Sequence, residues 1–245
     1  MTAKSPADIA ALRAIGRIVR AVFERMKRAA TAGVTTAELD AIGADELERR
    51  GARSAPQLWY RFPGATCISV NEEAAHGIPG ARRLDDGDMV NIDVSAEMNG
   101  YVADMGESFV VGTASPEQTK LLAATRRAVD DAIDAMRAGR ALNVIGRAVE
   151  KVAGETGYKI VRNLGSHGVG RSLHEEPSYV PVYNPLDRRK LTDGMVLTIE
   201  PFFTTGRPIV EEANDGWTLM CSPGAMVAQF EHTVIVTKSR PIIVT

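Results

Sequence analysis

The chain has 245 residues, with 29 basic and 31 acidic side chains, a formal net charge of −2 and two cysteines. The near balance of charge, without a basic stripe, argues against direct binding of nucleic acid. No apolar run approaches the ~20 residues of a membrane span, and the charged N-terminal segment is unlike a signal peptide. Because so few cysteines suit a reducing compartment, the composition predicts a cytoplasmic protein, with a monomer as the default.

The first half of the chain has the pattern of two helices followed by strands. A serine cap followed by proline predicts a helix from Ser5 to about Ala30. A capping box over Thr35–Glu38 opens a second helix that stops at Gly51. A loop rich in proline and aromatic residues is predicted over 54–63. The predicted strands that follow are 66–70, 89–95 and 101–111.

The second half repeats this order. A cap at Ser115 predicts a helix to about Arg137, and a shorter helix follows from Asn143 to Glu155. The predicted strands of this half lie near 158–163, 195–200, 207–211, 217–221 and 227–237. The repeated order predicts an internally duplicated α+β fold. Because no flexible linker separates the rounds, we expect one domain over residues 1–245, with halves at about 5–112 and 113–240.

Two aspartates lie in strands that ought to be buried. The apolar and polar residues of Val90–Val94 alternate with the period of a strand, which places Asp93 on its polar face. Asn99-Gly100 predicts a two-residue hairpin turn, and counting back from it pairs Ser95 with Asp104. Asp93 then lies diagonally across from Asp104 on the same face. Two like charges held so close raise one pKa unless a cation lies between them.

Two glutamates and a histidine occupy comparable positions. Glu200 and Glu231 each fall on the polar face of a predicted strand. His232 points away from Glu231, and we interpret it as a structural histidine. His167 lies among glycines in a predicted loop, where the backbone can approach closely and hold an imidazole in a fixed direction.

These five acidic and imidazole side chains together predict a metal site. Taken alone, each is more often a capped or solvent-facing residue. Glu231 could alternatively be a solvated cross-strand partner. Glu200 could simply end its strand before Pro201. Their concurrence, with no matching buried cations, favours bound divalent metal, because an unpaired buried carboxylate loses its hydration.

Several motifs, in this order along the chain, resemble those of type I methionine aminopeptidases. They are Phe62-Pro63-Gly64, Cys67-Ile68-Ser69-Val70-Asn71-Glu72, His76-Gly77-Ile78-Pro79, Asn91-Ile92-Asp93-Val94, His167-Gly168-Val169-Gly170, His174-Glu175-Glu176-Pro177, Thr198-Ile199-Glu200-Pro201 and Gln229-Phe230-Glu231-His232-Thr233. The resemblance runs from about Ser5 to the C-terminus. It implies the pita-bread fold, in which a curved antiparallel sheet carries a dinuclear metal centre and helices pack on its outer face. Without a cysteine-rich N-terminal extension or a long insertion, the chain resembles the short bacterial form.

The resemblance also implies a role for each predicted ligand. Asp93 would chelate one of two divalent ions, Asp104 and Glu231 would bridge both, and His167 and Glu200 would complete the coordination shell of the second ion. Such ions polarise the scissile carbonyl and generate hydroxide from a shared water near neutral pH. Glu200 would pass a proton from this water to the leaving amine. One histidine among four carboxylates is compatible with Co, Mn, Fe or Zn.

A substrate pocket beside the metals is implied as well. His76 and His174 match the substrate-facing histidines of the family, which would hold the peptide and stabilise the tetrahedral intermediate. His76 and His174 could alternatively be hydrogen-bonded loop histidines. Trp59 and Trp217 could equally be ordinary core residues. The residues expected to bind the substrate are Trp59, Phe62, Cys67, His76, Leu173, His174 and Trp217.

The chain departs from the family pattern around this pocket. Leu173 stands where an aromatic residue is usual, and Ser166 replaces the glycine before the histidine ligand. Pro56 and the stretch Trp59-Tyr60-Arg61 are atypical, and Met105-Gly106 replaces the usual Thr-Ser after the aspartate. These departures leave the shape of the pocket and the catalytic rate open.

The function implied by the resemblance is removal of the initiator methionine from nascent proteins with a small second residue, near the ribosome. Two other functions stay open. X-Pro aminopeptidases and prolidases share the fold and the ligand types, but they usually carry an additional N-terminal domain for which 245 residues leave no room. A catalytically inactive pita-bread binding module is the other alternative, and retention of all five ligands and of both pocket histidines argues against it.

Overall fold

Helices and short antiparallel strands alternate along the whole chain in the computed structural model, which describes residues 1–245. The helices are α1 (Pro6–Ala29), α2 (Thr36–Arg49), α3 (Ala55–Tyr60), α4 (Pro116–Ala135) and α5 (Val144–Thr156). The strands are β1 (Arg53–Ser54), β2 (Cys67–Val70), β3 (Glu73–Ala75), β4 (Met89–Met98), β5 (Tyr101–Val110), β6 (Lys159–Ile160), β7 (Ser166–Gly168), β8 (Glu175–Val180), β9 (Val196–Ile199), β10 (Phe202–Thr204), β11 (Glu211–Glu212), β12 (Leu219–Met220), β13 (Val227–Gln229), β14 (His232–Ile235) and β15 (Ile242–Ile243). None of the helices is long and apolar enough to cross a membrane.

The long helices begin at the predicted caps. Ser5, Thr35 and Ser115 each accept a hydrogen bond from the backbone of the third helical residue, and each forms a complete capping box. Four helices were predicted, over 5–30, 35–51, 115–137 and 143–155, and each is confirmed to within two residues at each end. Local side-chain chemistry therefore sets the helix boundaries.

The hairpin β4–β5 has the predicted register. Asn99 and Gly100 adopt positive φ angles of 53° and 77°, and Ser95 lies directly opposite Asp104. The apolar face of β4, which carries Ile92, packs into a core shared with α1 and α2. The polar face of β4, which carries Asp93, lies on the opposite side of the sheet.

Four antiparallel sheets make up the β structure. One joins β1, β4, β2 and β5, and another runs in the order β15-β14-β9-β7-β8. The remaining two are β13-β10-β6 and β11-β12-β3. A second core packs α4 and α5 against β9 and the strands around it. The division of the chain into two duplicated halves within one domain stays a prediction.

Some predicted elements are wrong. The predicted loop over 54–63 contains α3, because Ser54 caps a helical turn and Pro56 fits its first positions. The strand predicted over 227–237 is two strands, since β13 pairs with β10 and β14 pairs with β9. The strand predicted at 207–211 overlaps β11 only at Glu211, because Pro208 has no N–H to donate, and β10 at Phe202–Thr204 was not predicted. His167, predicted in a loop, lies in β7.

Candidate metal centre

Five side chains, borne on strands or on the residues that directly follow them, line one cavity of about 430 Å³. They are the predicted metal ligands Asp93, Asp104, His167, Glu200 and Glu231. Asp93 and Asp104 come from the β4–β5 hairpin, while the other three come from β7 and from the segments that follow β9 and β13. Asp104, His167 and Glu231 are buried, whereas Asp93 and Glu200 are half-buried. The fold therefore brings together groups from both halves of the chain.

The side chains approach closely enough to share a cation. The Nε2 atom of His167 lies 3.4 Å from Oε1 of Glu200 and 3.8 Å from Oδ2 of Asp104. Asp104, His167 and Glu231 each offer a ligand atom, and these atoms lie within 4.8 Å of one another. Carboxylate oxygens and imidazole nitrogen are donors that divalent transition metals accept.

Hydrogen bonds from outside the cavity orient these donors. Thr198 donates from Oγ1 to Oε1 of Glu200 over 2.6 Å and accepts the backbone N–H of His167. The Nδ1 atom of His167 lies 3.0 Å from the carbonyl oxygen of Gly168, so a proton there leaves the Nε2 lone pair free for a cation. Gln229 donates from Nε2 to Oε2 of Glu231. Such bonds fix the direction of metal ligands.

The buried carboxylates of the cluster favour a bound cation. Burial raises the pKa of Asp93 to about 6 and the pKa of Glu200 to about 8. Burial and the neighbouring carboxylates hold the pKa values of Asp104 and Glu231 well above their usual range. One oxygen of each of these last two side chains, Oδ1 and Oε1 respectively, is buried without any hydrogen-bond partner. Orphaned carboxylate oxygens of this kind are stabilised by a bound divalent ion.

His167 is prepared to act as a neutral ligand. Burial, together with the neighbouring His174 and His76, lowers the pKa of His167 to about 3. A neutral imidazole is the form that binds a metal. The donor set therefore fits divalent metal ions.

An apolar pocket adjoins the acidic cluster. The rings of Phe62 and Trp217 meet edge to face with centroids 5.2 Å apart. Cys67 and Leu173 are buried in the same wall, and burial beside Asp93 raises the pKa of the Cys67 thiol well above its usual range. The wall is thus aromatic, aliphatic and neutral, which suits a thioether or alkyl side chain.

Two histidines face this cavity. His76 adopts a positive φ of 55°, and the ring of His174 stacks on that of His167 with centroids 3.9 Å apart. Partial burial lowers the pKa of both His76 and His174, so each is neutral near pH 7. Neutral imidazoles can each donate one hydrogen bond to a substrate.

Trp59 is the one predicted substrate-binding residue that the structure leaves outside the cavity. Its side chain is 37% exposed, and Pro56 and Tyr60 line the cavity in its place. These two residues are four apart in α3 and so share one helix face. Tyr60 was missed because the segment was predicted as a loop; a helix beginning at the Ser54 cap would have pointed to it.

The departures from the family pattern have structural counterparts. Ser166 accepts the backbone N–H of Glu200 at its hydroxyl over 3.1 Å. Met105 is fully buried in the core shared with α1. A Cβ atom at Gly106 would lie 2.1 Å from Oε1 of Gln229, so this position must be glycine for Gln229 to approach. These residues support the cluster from behind.

Comparison with known proteins gives consistent matches along the chain. The model of metallopeptidase family M24 matches residues 10–238. Methionine aminopeptidase 2 of Bacillus subtilis is 45% identical over 240 residues, which cover 97% of this chain and 96% of that protein. A methionine aminopeptidase of Staphylococcus epidermidis is 46% identical over 247 residues, covering 100% and 98%. The crystal structure of methionine aminopeptidase from Rickettsia prowazekii superposes with a TM-score of 0.94 at 31% identity, over 100% of both chains.

Proposed function

The chain belongs to metallopeptidase family M24, and on that premise we propose that it is a methionine aminopeptidase. It removes the N-terminal methionine from new proteins and peptides whose second residue is small. The pita-bread fold predicted from the sequence is confirmed by the full-length superposition on a methionine aminopeptidase. The observation that carries the proposal is the buried cluster of carboxylates and histidine beside an apolar aromatic pocket.

In this proposal the cluster holds two divalent metal ions, Co, Mn, Fe or Zn. The ligands are Asp93, Asp104, His167, Glu200 and Glu231, and the two orphaned carboxylate oxygens support the assignment of Asp104 and Glu231. When bound, the ions supply Lewis-acid polarisation of the scissile carbonyl and a lowered pKa for the attacking water.

The chain's own residues would move the protons. Glu200, oriented by Thr198, takes the proton of the attacking water and passes it to the leaving amine. The Met105-Gly106 departure lies behind the ligands, where it need not disturb this transfer.

Other residues would bind the peptide. His76 and His174 donate hydrogen bonds to the carbonyl oxygen as negative charge develops on it. Phe62, Cys67 and Trp217 pack against the methionine side chain, and Leu173 leaves more room in this pocket than the aromatic residue usual at its position. The aromatic edges and the buried thiol of this pocket suit contact with a thioether.

Substrate choice is tested by comparing Met-Ala-Ser with Leu-Ala-Ser and Ala-Pro-Ser. The protein is stripped of metal and titrated with Mn, Fe or Co, with Asp104→Asn as the control. Metal-dependent release of methionine alone, abolished in the control, is the expected result. Proline-directed cleavage would instead place the protein with the X-Pro peptidases, and silence with every metal would make it a binding module.

We further propose that the natural substrates are nascent polypeptides at the ribosome, met in the cytoplasm by a monomeric enzyme. The near-neutral net charge of −2 supports contact with the emerging peptide rather than with ribosomal RNA. Cosedimentation with translating ribosomes, and its loss when nascent chains are released with puromycin, tests the first point. Light scattering of the purified protein tests the second.

A further inference from the structure

Tyr60 makes a contact that the proposed reaction does not yet use. Its hydroxyl oxygen lies 2.7 Å from Nδ1 of His174, and the two rings meet edge to face at 5.5 Å and 70°. Tyr60 is the last residue of α3, and Arg61 ends this helix in the left-handed conformation with a φ of 58°. The backbone on both sides of Tyr60 is therefore fixed, and its side chain stands at the rim of the cavity.

The direction of this hydrogen bond follows from the basicity of the two groups. A neutral imidazole nitrogen binds a proton far more strongly than a phenol oxygen does, so the hydroxyl donates and Nδ1 accepts. Burial and the charge of Asp104 raise the pKa of Tyr60, so the phenol keeps its proton. An imidazole that has one ring proton and accepts at Nδ1 carries that proton on Nε2, so this hydrogen bond selects the Nε2–H tautomer of His174.

His174 needs such a partner because of where it lies. The residue is exposed on the wall of the cavity, and His167 covers one face of its ring by stacking. Stacking leaves the choice of tautomer open, and water can hydrogen-bond to either nitrogen. Among the hydrogen bonds of the structure, Tyr60 supplies the one to the ring of His174.

We propose that Tyr60 is a positioning residue, which selects the Nε2–H tautomer of His174 and fixes the ring so that Nε2 donates to the carbonyl oxygen of the first peptide bond. This inference rests on the proposed methionine aminopeptidase function. It also assigns a role to the atypical stretch Trp59-Tyr60-Arg61, because the short helix α3 places a phenol at the rim of the active site.

The kinetic test uses Tyr60→Phe, which removes the hydroxyl and keeps the ring. The value of kcat for Met-Ala-Ser should fall about five- to tenfold with KM changed less than about twofold, as expected of one hydrogen bond that acts in the transition state. Tyr158→Phe is the matched control, because it removes a tyrosine hydroxyl that lies outside the cavity and bonds to the backbone oxygen of Glu117, and it should leave both constants unchanged. A Tyr60→Phe enzyme with wild-type kcat would overturn the proposal.

A spectroscopic test reads the tautomer directly. In the full-length protein loaded with diamagnetic Zn and labelled with ¹⁵N-histidine, the ring nitrogens of His174 are assigned by their absence in His174→Asn. The wild type should show a protonated Nε2 and an unprotonated Nδ1, and Tyr60→Phe should lose this preference. A wild-type ring protonated on Nδ1 would refute the inference. If the wild type released no methionine, the proposed function would fail, while this spectrum would still decide the tautomer.

Discussion

Thr198 holds two members of the candidate metal centre at once, because its hydroxyl donates to Glu200 over 2.6 Å and accepts the backbone N–H of His167 over 3.0 Å. Threonine and valine have nearly the same shape, so Thr198→Val removes these bonds with little change in packing. Loss of an orienting partner typically costs 10- to 100-fold in metal affinity.

We therefore expect Thr198→Val to weaken metal binding by about tenfold or more. Isothermal titration of the stripped protein with Mn measures the affinity. Thr125→Val is the control, because Thr125 is also fully buried but its hydroxyl bonds to Leu121 within α4. Equal affinity in the two variants would show that the hydroxyl of Thr198 does not orient the ligands.

The metal-free protein should lose stability as the pH rises above 7. The folded-state pKa values of Asp93 and Glu200 are about 6 and about 8, above their ordinary values of 3.8 and 4.5. Between these limits the folded chain binds more protons than the unfolded chain, so the free energy of unfolding falls with increasing pH. The lowered pKa values of the buried His167 and His232 act in the opposite direction below the ordinary histidine pKa of 6.5. We therefore expect the Tm in the presence of a chelator to drop from pH 7 to pH 9.

The same measurement with saturating metal separates this effect from general alkaline destabilisation. Metal replaces the protons as the counter-charge, so the metal-bound protein should be nearly insensitive to pH over this window. Metal binding near pH 7 should also release protons, which calorimetry in buffers of different ionisation enthalpy detects. A chelated protein whose Tm rises with pH over this window would contradict the raised carboxyl pKa values.

Gly106→Ala should destabilise the protein by about 1–3 kcal/mol, the usual cost of overpacking a rigid site. The added Cβ would lie 2.1 Å from Oε1 of Gln229, a side chain that Asn91 and Glu231 already hold. Urea denaturation measures the change. Gly154→Ala in α5 is the matched control, because nothing lies within 4 Å of its Cβ position, and it should stabilise by up to ~1 kcal/mol.

Glu107→Gln should cost about 2–4 kcal/mol of folding stability, because a buried carboxylate surrounded by cations is lost. Lys27 of α1 and Arg126 of α4 bind Glu107 at 2.6 and 2.7 Å. Although burial alone would raise it, these bonds hold the pKa of Glu107 below its ordinary value. Its contribution is therefore present at neutral pH and lost in acid.

The exposed pair of Arg127 and Glu155 provides the comparison for Glu107. Both of its side chains are about half exposed, so Glu155→Gln should change stability by less than about 1 kcal/mol. Thermal and urea unfolding of the two variants at pH 7 gives the difference. Similar losses in both would mean that burial does not strengthen the bonds of Glu107.

Structural features that are determined by neighbouring residues in the sequence could be predicted, whereas features that depend on distant residues could not. The register of Ser95 opposite Asp104 follows from two turn residues, and the helix starts follow from caps three residues away. The type of each candidate ligand could be inferred from an acid in an apolar strand. The switch of the chain from β13 to β14 could not, because it depends on partner strands that are distant in sequence.

Tyr60 illustrates the same limit at the level of a side chain. Its partner His174 lies 114 positions further along the chain, and no periodicity within 54–63 refers to it. The motifs that this chain shares with methionine aminopeptidases indicated the cavity residues that it has in common with them. Where the chain departs from the family, as at Tyr60 and Gly106, only three-dimensional contacts reveal the partner.

The hydrogen bonds that hold the carboxylate cluster also determine when this cluster can form during synthesis of the chain. Asn91 bonds to Gln229 across 138 positions, and Asp104 bonds to Thr233 across 129. The hairpin with its two aspartates emerges early, yet the residues that complete and orient the cluster are among the last translated. An unfinished molecule therefore lacks Glu231 and the side chains that orient the residues of the hairpin, and we expect the proposed activity only once the final strands have folded into place.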